Sequence, residues 1–186
     1  HSPPTATTSG TPGKRMLVLL YQTAQANGLL SKFLEHFKKV TRMEPGSAFK
    51  KDSIKGGIKC SVSAGQAGSI SAHDMAALCK GDEAFSWPAP IAQAIEQFGI
   101  ACERAAVALY TFSFEKYSTA VETYVADTHE LLCWIAHIWG YAEITPSLWQ
   151  RFDAVYPVLA LFKRRRVCAA WMDERSCERR HLTLKR

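Results

Sequence analysis

The sequence predicts an all-α fold of seven or eight helices. Apolar residues recur every three or four positions through most of the chain, the period of a helix with one buried face. Sustained alternation at period two, the mark of a half-buried strand, is found nowhere. Two long apolar segments, "DEAFSWPAPIAQAIEQFGIACERAAVALYTFSF" and "EKYSTAVETYVADTHELLCWIAHIWG", follow one another. Their join near Ser113 to Glu115 suggests a central hairpin wrapped by more amphipathic helices. With 186 residues, 47% of them hydrophobic and 22% charged, the chain can bury one sizeable core.

Residues 1–13, "HSPPTATTSGTPG", are rich in Pro, Ser, Thr and Gly and read as a disordered arm. A single helical domain is expected over 14–167. "KRMLVLLYQTAQANG" forms a helix from Lys14 to Asn27, stopped by Gly28. In "LLSKFLEHFKKV" the stripe Leu30, Phe33, Leu34, Phe37 and Val40 is apolar, while Lys32, Glu35, Lys38 and Lys39 lie off it. Residues 44–70 carry several glycines and a proline and read as a long loop, with a short turn near Ala48 to Ser53. Ser69 or Ser71 can cap a helix through "AHDMAALCKG". Pro88 and Pro90 suit the first turn of the next helix, which is expected to be largely buried up to Phe112. Gly140 ends the second long helix. Thr145 and Pro146 start another, which Pro157 should split or kink. Residues 168–186 read as a charged tail that frays.

The net charge of +6 is concentrated near the carboxyl end, in "FKRRRV" and "ERRHLTLKR". Such charge favours acidic lipid or nucleic acid, or simply opposes the negative end of a helix dipole. The six cysteines form no C-x-x-C pair and read as buried free thiols in a reducing compartment. No signal peptide is recognised, and His1 in place of Met reads as the start of a processed or a recombinantly expressed form. No run of about 18 uncharged apolar residues suggests a membrane span.

The motifs point further. "CWIAHIWGYAEI" resembles the second homology motif of the Bcl-2 family. Trp134 and Ile135 match its Trp-Ile, Gly140 its second glycine, and Tyr141 replaces the later tryptophan; Trp139 replaces the first glycine. "AALCKGDEAFSWPAPIAQAIEQFGIACE" is similar to the first motif through Leu78, Gly81, Trp87, Phe98 and Gly99. It departs where Pro88 and Ala89 follow Trp87 in place of the family's Gly-Arg, and where the Trp-to-Phe spacing is longer. Arg104, the nearest basic residue on that helix, lies several turns too late. "LLSKFLEHFKKV" resembles a degenerate third motif, with Leu34 at its small-residue position, and "EPGSAF" a turn that follows it. The resemblance spans most of residues 14–162.

The resemblance implies a Bcl-2-like helical bundle. It implies an apoptosis regulator of pro-survival sense, in the cytoplasm or at the mitochondrial outer membrane or endoplasmic reticulum, the membrane reached through a tail. Its partners would be the amphipathic helices of pro-apoptotic relatives, held in a hydrophobic groove. Phe33, Phe37, Val40, Leu78, Ile91, Ile95 and Phe98 would line that groove, though each also fits as plain core. Trp87, Gly99, Trp134 and Gly140 would be structural, with Trp134 packing the last helices onto the central pair. Without the arginine, a ligand lacking the family's aspartate should be tolerated.

Competing chemistry is expected to be absent. His129, Cys133 and His137 share a helical face, but i, i+4 and i+8 spread them over about 12 Å, too far for all three to reach one zinc ion; a pair of them with a distant ligand such as His73 or His181 stays open. The plainer reading is a core cysteine with two partly exposed histidines, and no metal or cofactor is expected. No HExxH, GxSxG or phosphate loop suggests an enzyme. A basic, all-helical nucleic-acid-binding or nucleocapsid-like protein is the alternative from another class. Few aromatics interleave with the basic residues, which argues against nucleic acid.

Overall fold

A computed structural model describes residues 11–62 and 70–172 of the chain. It is mostly helical, with seven α-helices among the described residues. Residues 1–99 form one compact unit and residues 100–186 another.

The first unit opens with α1 (Thr11–Ala26). This helix begins three residues earlier than Lys14, because Pro12 sits in the first turn, where a missing N–H costs nothing. Leu17, Leu20 and Ala24 are fully buried. Gly28 takes a left-handed φ of 68° and ends the helix, so α2 (Leu30–Thr41) can start at once. Lys38 and Lys39 in the last turn of α2 oppose its dipole. A single turn, α3 (Pro45–Ala48), follows.

Part of the expected loop is instead a two-stranded ribbon. Phe49–Lys51 (β1) pairs antiparallel with Ile58–Cys60 (β2), in the register Phe49↔Cys60, Lys50↔Lys59 and Lys51↔Ile58. Phe49 and Cys60 are buried and pin the base of the ribbon. At its tip Asp52 Oδ1 accepts from the backbone N–H of Ile54 (3.0 Å) and Lys55 (3.1 Å), and Gly56 and Gly57 both turn at φ 74°. Three-residue strands are too short to show an alternation that a sequence reading could find. Of the expected loop, residues 63–69 lie outside the described residues.

Ser71 caps α4 (Ala72–Lys80), accepting from the Asp74 N–H at 3.0 Å. The unit closes with the first half of α5 (Ala89–Tyr110), whose first turn is braced by the Pro88 carbonyl accepting from Ile91 and Ala92. α5 buries a stripe through Ile95, Phe98, Ala101, Cys102, Ala105 and Ala108 and exposes Gln93, Arg104, Val107 and Tyr110. It is one-sided, less enclosed than its composition suggested, because those four residues fall together off the apolar stripe.

The second unit holds the rest of α5, then α6 (Phe114–Trp139), a 3₁₀ turn (Tyr141–Glu143), α7 (Pro146–Arg164) and a 3₁₀ turn (Ala169–Met172). Ser113 caps α6 and Thr145 caps α7. Its core gathers Ala108, Tyr117, Val121, Tyr124, Leu159 and Cys168. The Tyr117 hydroxyl donates to the Leu159 carbonyl at 2.6 Å, tying α6 to α7. Pro157 does not split α7, which runs unbroken past it to Arg164. The expected fraying from Cys168 is also corrected. Cys168 and Ala170 are buried, and Trp171 Nε1 donates to the Phe112 carbonyl at 3.1 Å. The remainder of that tail, and the first ten residues of the expected arm, lie outside the described residues.

Cys60, Cys79, Cys102 and Cys168 are buried free thiols, but Cys133 is exposed. It falls on the solvent side of α6 with His129 and His137, so the expected core cysteine is a surface one. No helix among the described residues is long and apolar enough to cross a membrane.

Candidate helix-binding site

The site is built around α2. Its apolar stripe turns Phe33 and Phe37 inward, with His36 beside them. Four rings surround Phe33: Trp87 at 5.5 Å, Phe85 at 5.9 Å, Phe49 at 6.3 Å and Phe37 at 6.5 Å between centroids. Phe37 meets Phe49 edge-on at 5.0 Å, and Phe85 meets Trp87 edge-on at 5.1 Å. Tilted and edge-on pairs at these distances are favourable beyond the area they bury. Trp87 Nε1 donates to the Leu78 carbonyl at 3.1 Å, which satisfies the indole in a buried place.

A polar clasp holds Phe85 and Trp87 against α2. Asp82 Oδ1 accepts from the backbone N–H of Ala84 (2.8 Å) and Phe85 (2.9 Å), forming a tight turn after α4. Its other oxygen accepts from Lys39 Nζ on α2 at 2.7 Å. That ion pair, helped by the two backbone donors, lowers the Asp82 carboxyl to about 2. Gly81 stands at φ 77°, and a Cβ there would lie 2.5 Å from the Phe85 carbonyl oxygen, so the turn needs glycine. His36 stacks on Phe85 at 5.1 Å, with Nε2 3.3 Å from the Ala77 carbonyl and Nδ1 3.6 Å from Asp82 Oδ2. A carbonyl only accepts, so Nε2 carries the proton and Nδ1 faces the carboxylate beyond hydrogen-bond reach.

The clasp gives a pH prediction. A carboxyl lowered on folding adds stability above its unfolded value, near 3.8, and that stability fades as pH falls toward about 2. Asp82→Asn keeps a turn acceptor but loses the charge. The variant should unfold at a lower temperature than the parent above pH 4, and the gap should close near pH 2. Parallel melting curves across this range would refute the assignment.

Of the residues expected to line a groove, Phe33, Phe37, Leu78, Ile95 and Phe98 are 0% exposed. Val40 and Ile91 are half-buried. In this conformation the five have no surface to offer, and α2 itself closes over the aromatic cluster. Gly99 is packed so tightly on α4 that a Cβ would lie 2.5 Å from Cys79 Cβ and 3.1 Å from Ala76 Cα. Trp87 is buried and Gly140 ends α6 at φ 97°. Trp134 corrects its expected role. It is half-buried, its Nε1 3.4 Å from Glu130 and its ring edge-on to His137 at 5.8 Å, all on its own helix, so it is a flank and not a core plug. Arg104 is exposed, with its guanidinium 3.7 Å from Glu130.

Comparison with protein-family models, with curated proteins and with solved structures gives no match to this chain. The site is therefore read from its own residues. Sequence reasoning missed Phe49, Phe85, His36 and the Lys39–Asp82 clasp. One signal was legible: an aspartate three residues before a phenylalanine, right after a helix-ending glycine, is a turn that fixes the ring. Among the described residues no three of His, Cys, Asp and Glu gather as a metal set, and His129 instead meets the edge of Trp149 at 5.4 Å.

Proposed function

We propose that the chain is a helix-capturing regulator of Bcl-2 type, acting in the pro-survival sense on amphipathic helices of pro-apoptotic relatives. The observation that carries the reading is α2 and its seat. A helix with apolar residues at i, i+3, i+4 and i+7 already docks on an aromatic-rich surface, the geometry of helix-in-groove recognition. A partner helix of the same pattern competes with α2 for that surface. Val40 and Ile91, half-buried, are where it first finds purchase. Because the seat is occupied, the apparent affinity is the intrinsic one reduced by the fraction of molecules in which α2 has yielded.

One expectation follows from the absent arginine. Pro88, just before α5, and Ala89, its first residue, stand at its place, and Arg104 faces Glu130, so among the described residues no cation answers the ligand's conserved aspartate there. An aspartate-to-alanine ligand should bind within about twofold of its parent, since the charge-assisted pair worth about 1.5–3 kcal/mol has no partner to lose. The test is calorimetric titration with a panel of helical death-motif peptides at two salt concentrations. Sub-micromolar binding that salt barely changes supports the reading. No binding by any peptide removes it.

A further inference from the structure

We propose that the β1–β2 ribbon is an arm that grips the sugar-phosphate backbone of duplex DNA without reading its sequence. Between Phe49 and Cys60 the chain carries Lys50, Lys51, Lys55 and Lys59 and a single acid, Asp52. Lys50 and Lys59 stand directly opposite each other. Like charges in that position oppose strand pairing. The ribbon is held together by its buried base, where Phe49 packs 5.0 Å from both Tyr21 and Phe37, and by the Asp52 N–H to Gly57 carbonyl bond at 2.9 Å. Asp52 balances one of the four lysine charges and leaves the ribbon at a net +3. Its carboxylate is engaged by the Lys55 and Ile54 backbone N–H groups, which hold it below the usual range. Among the described residues the four lysines form no ion pair, while Lys38, Lys39 and Lys163 each meet a carboxylate at 2.7–2.8 Å.

The placement of the charge selects the partner. Successive side chains of a strand point to opposite faces, so Lys50 and Lys59 charge one face, Lys51 the other, and Lys55 the tip. A flat anionic membrane meets one side of such an arm. A groove with phosphates along both walls meets all of it, and the major groove of B-form DNA, about 12 Å wide, admits a two-stranded ribbon. Ile54, 90% exposed, is the one apolar residue at the tip, too little to anchor in lipid. Lysine is a compact point charge without the planar fork that reads bases, so contacts go to phosphate. Lysines on edge strands also deter strand addition, but that role needs neither an opposed pair nor a lysine at the turn.

The test uses the full chain and a 20-base-pair DNA duplex of arbitrary sequence. Binding should weaken with salt, with a log–log slope of about −0.9 for each phosphate neutralised. Changing all four lysines to glutamine should make that slope shallower by about 3 to 4, whatever the DNA sequence. Lys59→Glu gives the discriminating readout. It should raise the thermal midpoint, by turning a like-charge pair into an opposite one, yet weaken DNA binding. An unchanged slope in the glutamine variant, or no duplex binding by the parent, overturns the proposal. So does an equal or greater effect of the same changes on binding to phosphatidylserine vesicles. Death-motif peptide binding should be the same in all variants, so this idea and the helix-capture reading fail separately.

Discussion

Phe33→Ala should lower the stability of the first unit by about 3–5 kcal/mol, the usual loss for a buried phenylalanine reduced to alanine. Phe33 is 0% exposed and touches four aromatic rings drawn from α2, the ribbon and the turn before α5. Those segments come from distant parts of the chain, so none can collapse alone to fill the space. Phe33→Leu, which keeps most of the volume, should cost on the order of 1 kcal/mol. Urea unfolding followed by tryptophan fluorescence suits the measurement, because Trp87 lies 5.5 Å from the deleted ring. A loss below about 1 kcal/mol for the alanine variant would mean the cluster is not what holds this unit together.

Gly99→Ala is expected to cost about 2–3 kcal/mol, a heavy penalty for one methyl group. In most helices the same change stabilises, since alanine is the better helix former by about 1 kcal/mol. Here the new carbon would sit 2.5 Å from Cys79 Cβ and 3.1 Å from the α carbon of Ala76. One obstacle is backbone and cannot rotate away. Cys79→Gly removes the nearer obstacle, so the double variant should recover part of the loss. Additive effects in that double-mutant cycle would show that the two helices do not meet here as described.

The helices were legible because their signals are local. α2 announces its buried face through Leu30, Phe33, Leu34 and Phe37, and Gly28, Ser71, Thr145 and Gly140 mark boundaries by rules that involve only a few neighbours. What escaped depends on partners far along the chain. Phe49 looked like one apolar residue in a polar loop; it is buried because Tyr21, Phe33 and Phe37 surround it. The clasp between Lys39 and Asp82 joins residues 43 apart. Trp134 was misplaced for a related reason. A tryptophan in an apolar run looks like core, and only the direction its helix faces decides otherwise.

The exposed tip of the ribbon also bears on how this chain can change. Gly56 and Gly57 have open space around them, and Ile54 stands clear of the protein. Foreign residues inserted between Lys55 and Gly56 would displace nothing packed. Each doubling of such a loop costs only about 0.6 kcal/mol in closure entropy. The tip is therefore the place where a peptide epitope or a small folded domain can be grafted, and where related chains would be expected to differ most in length.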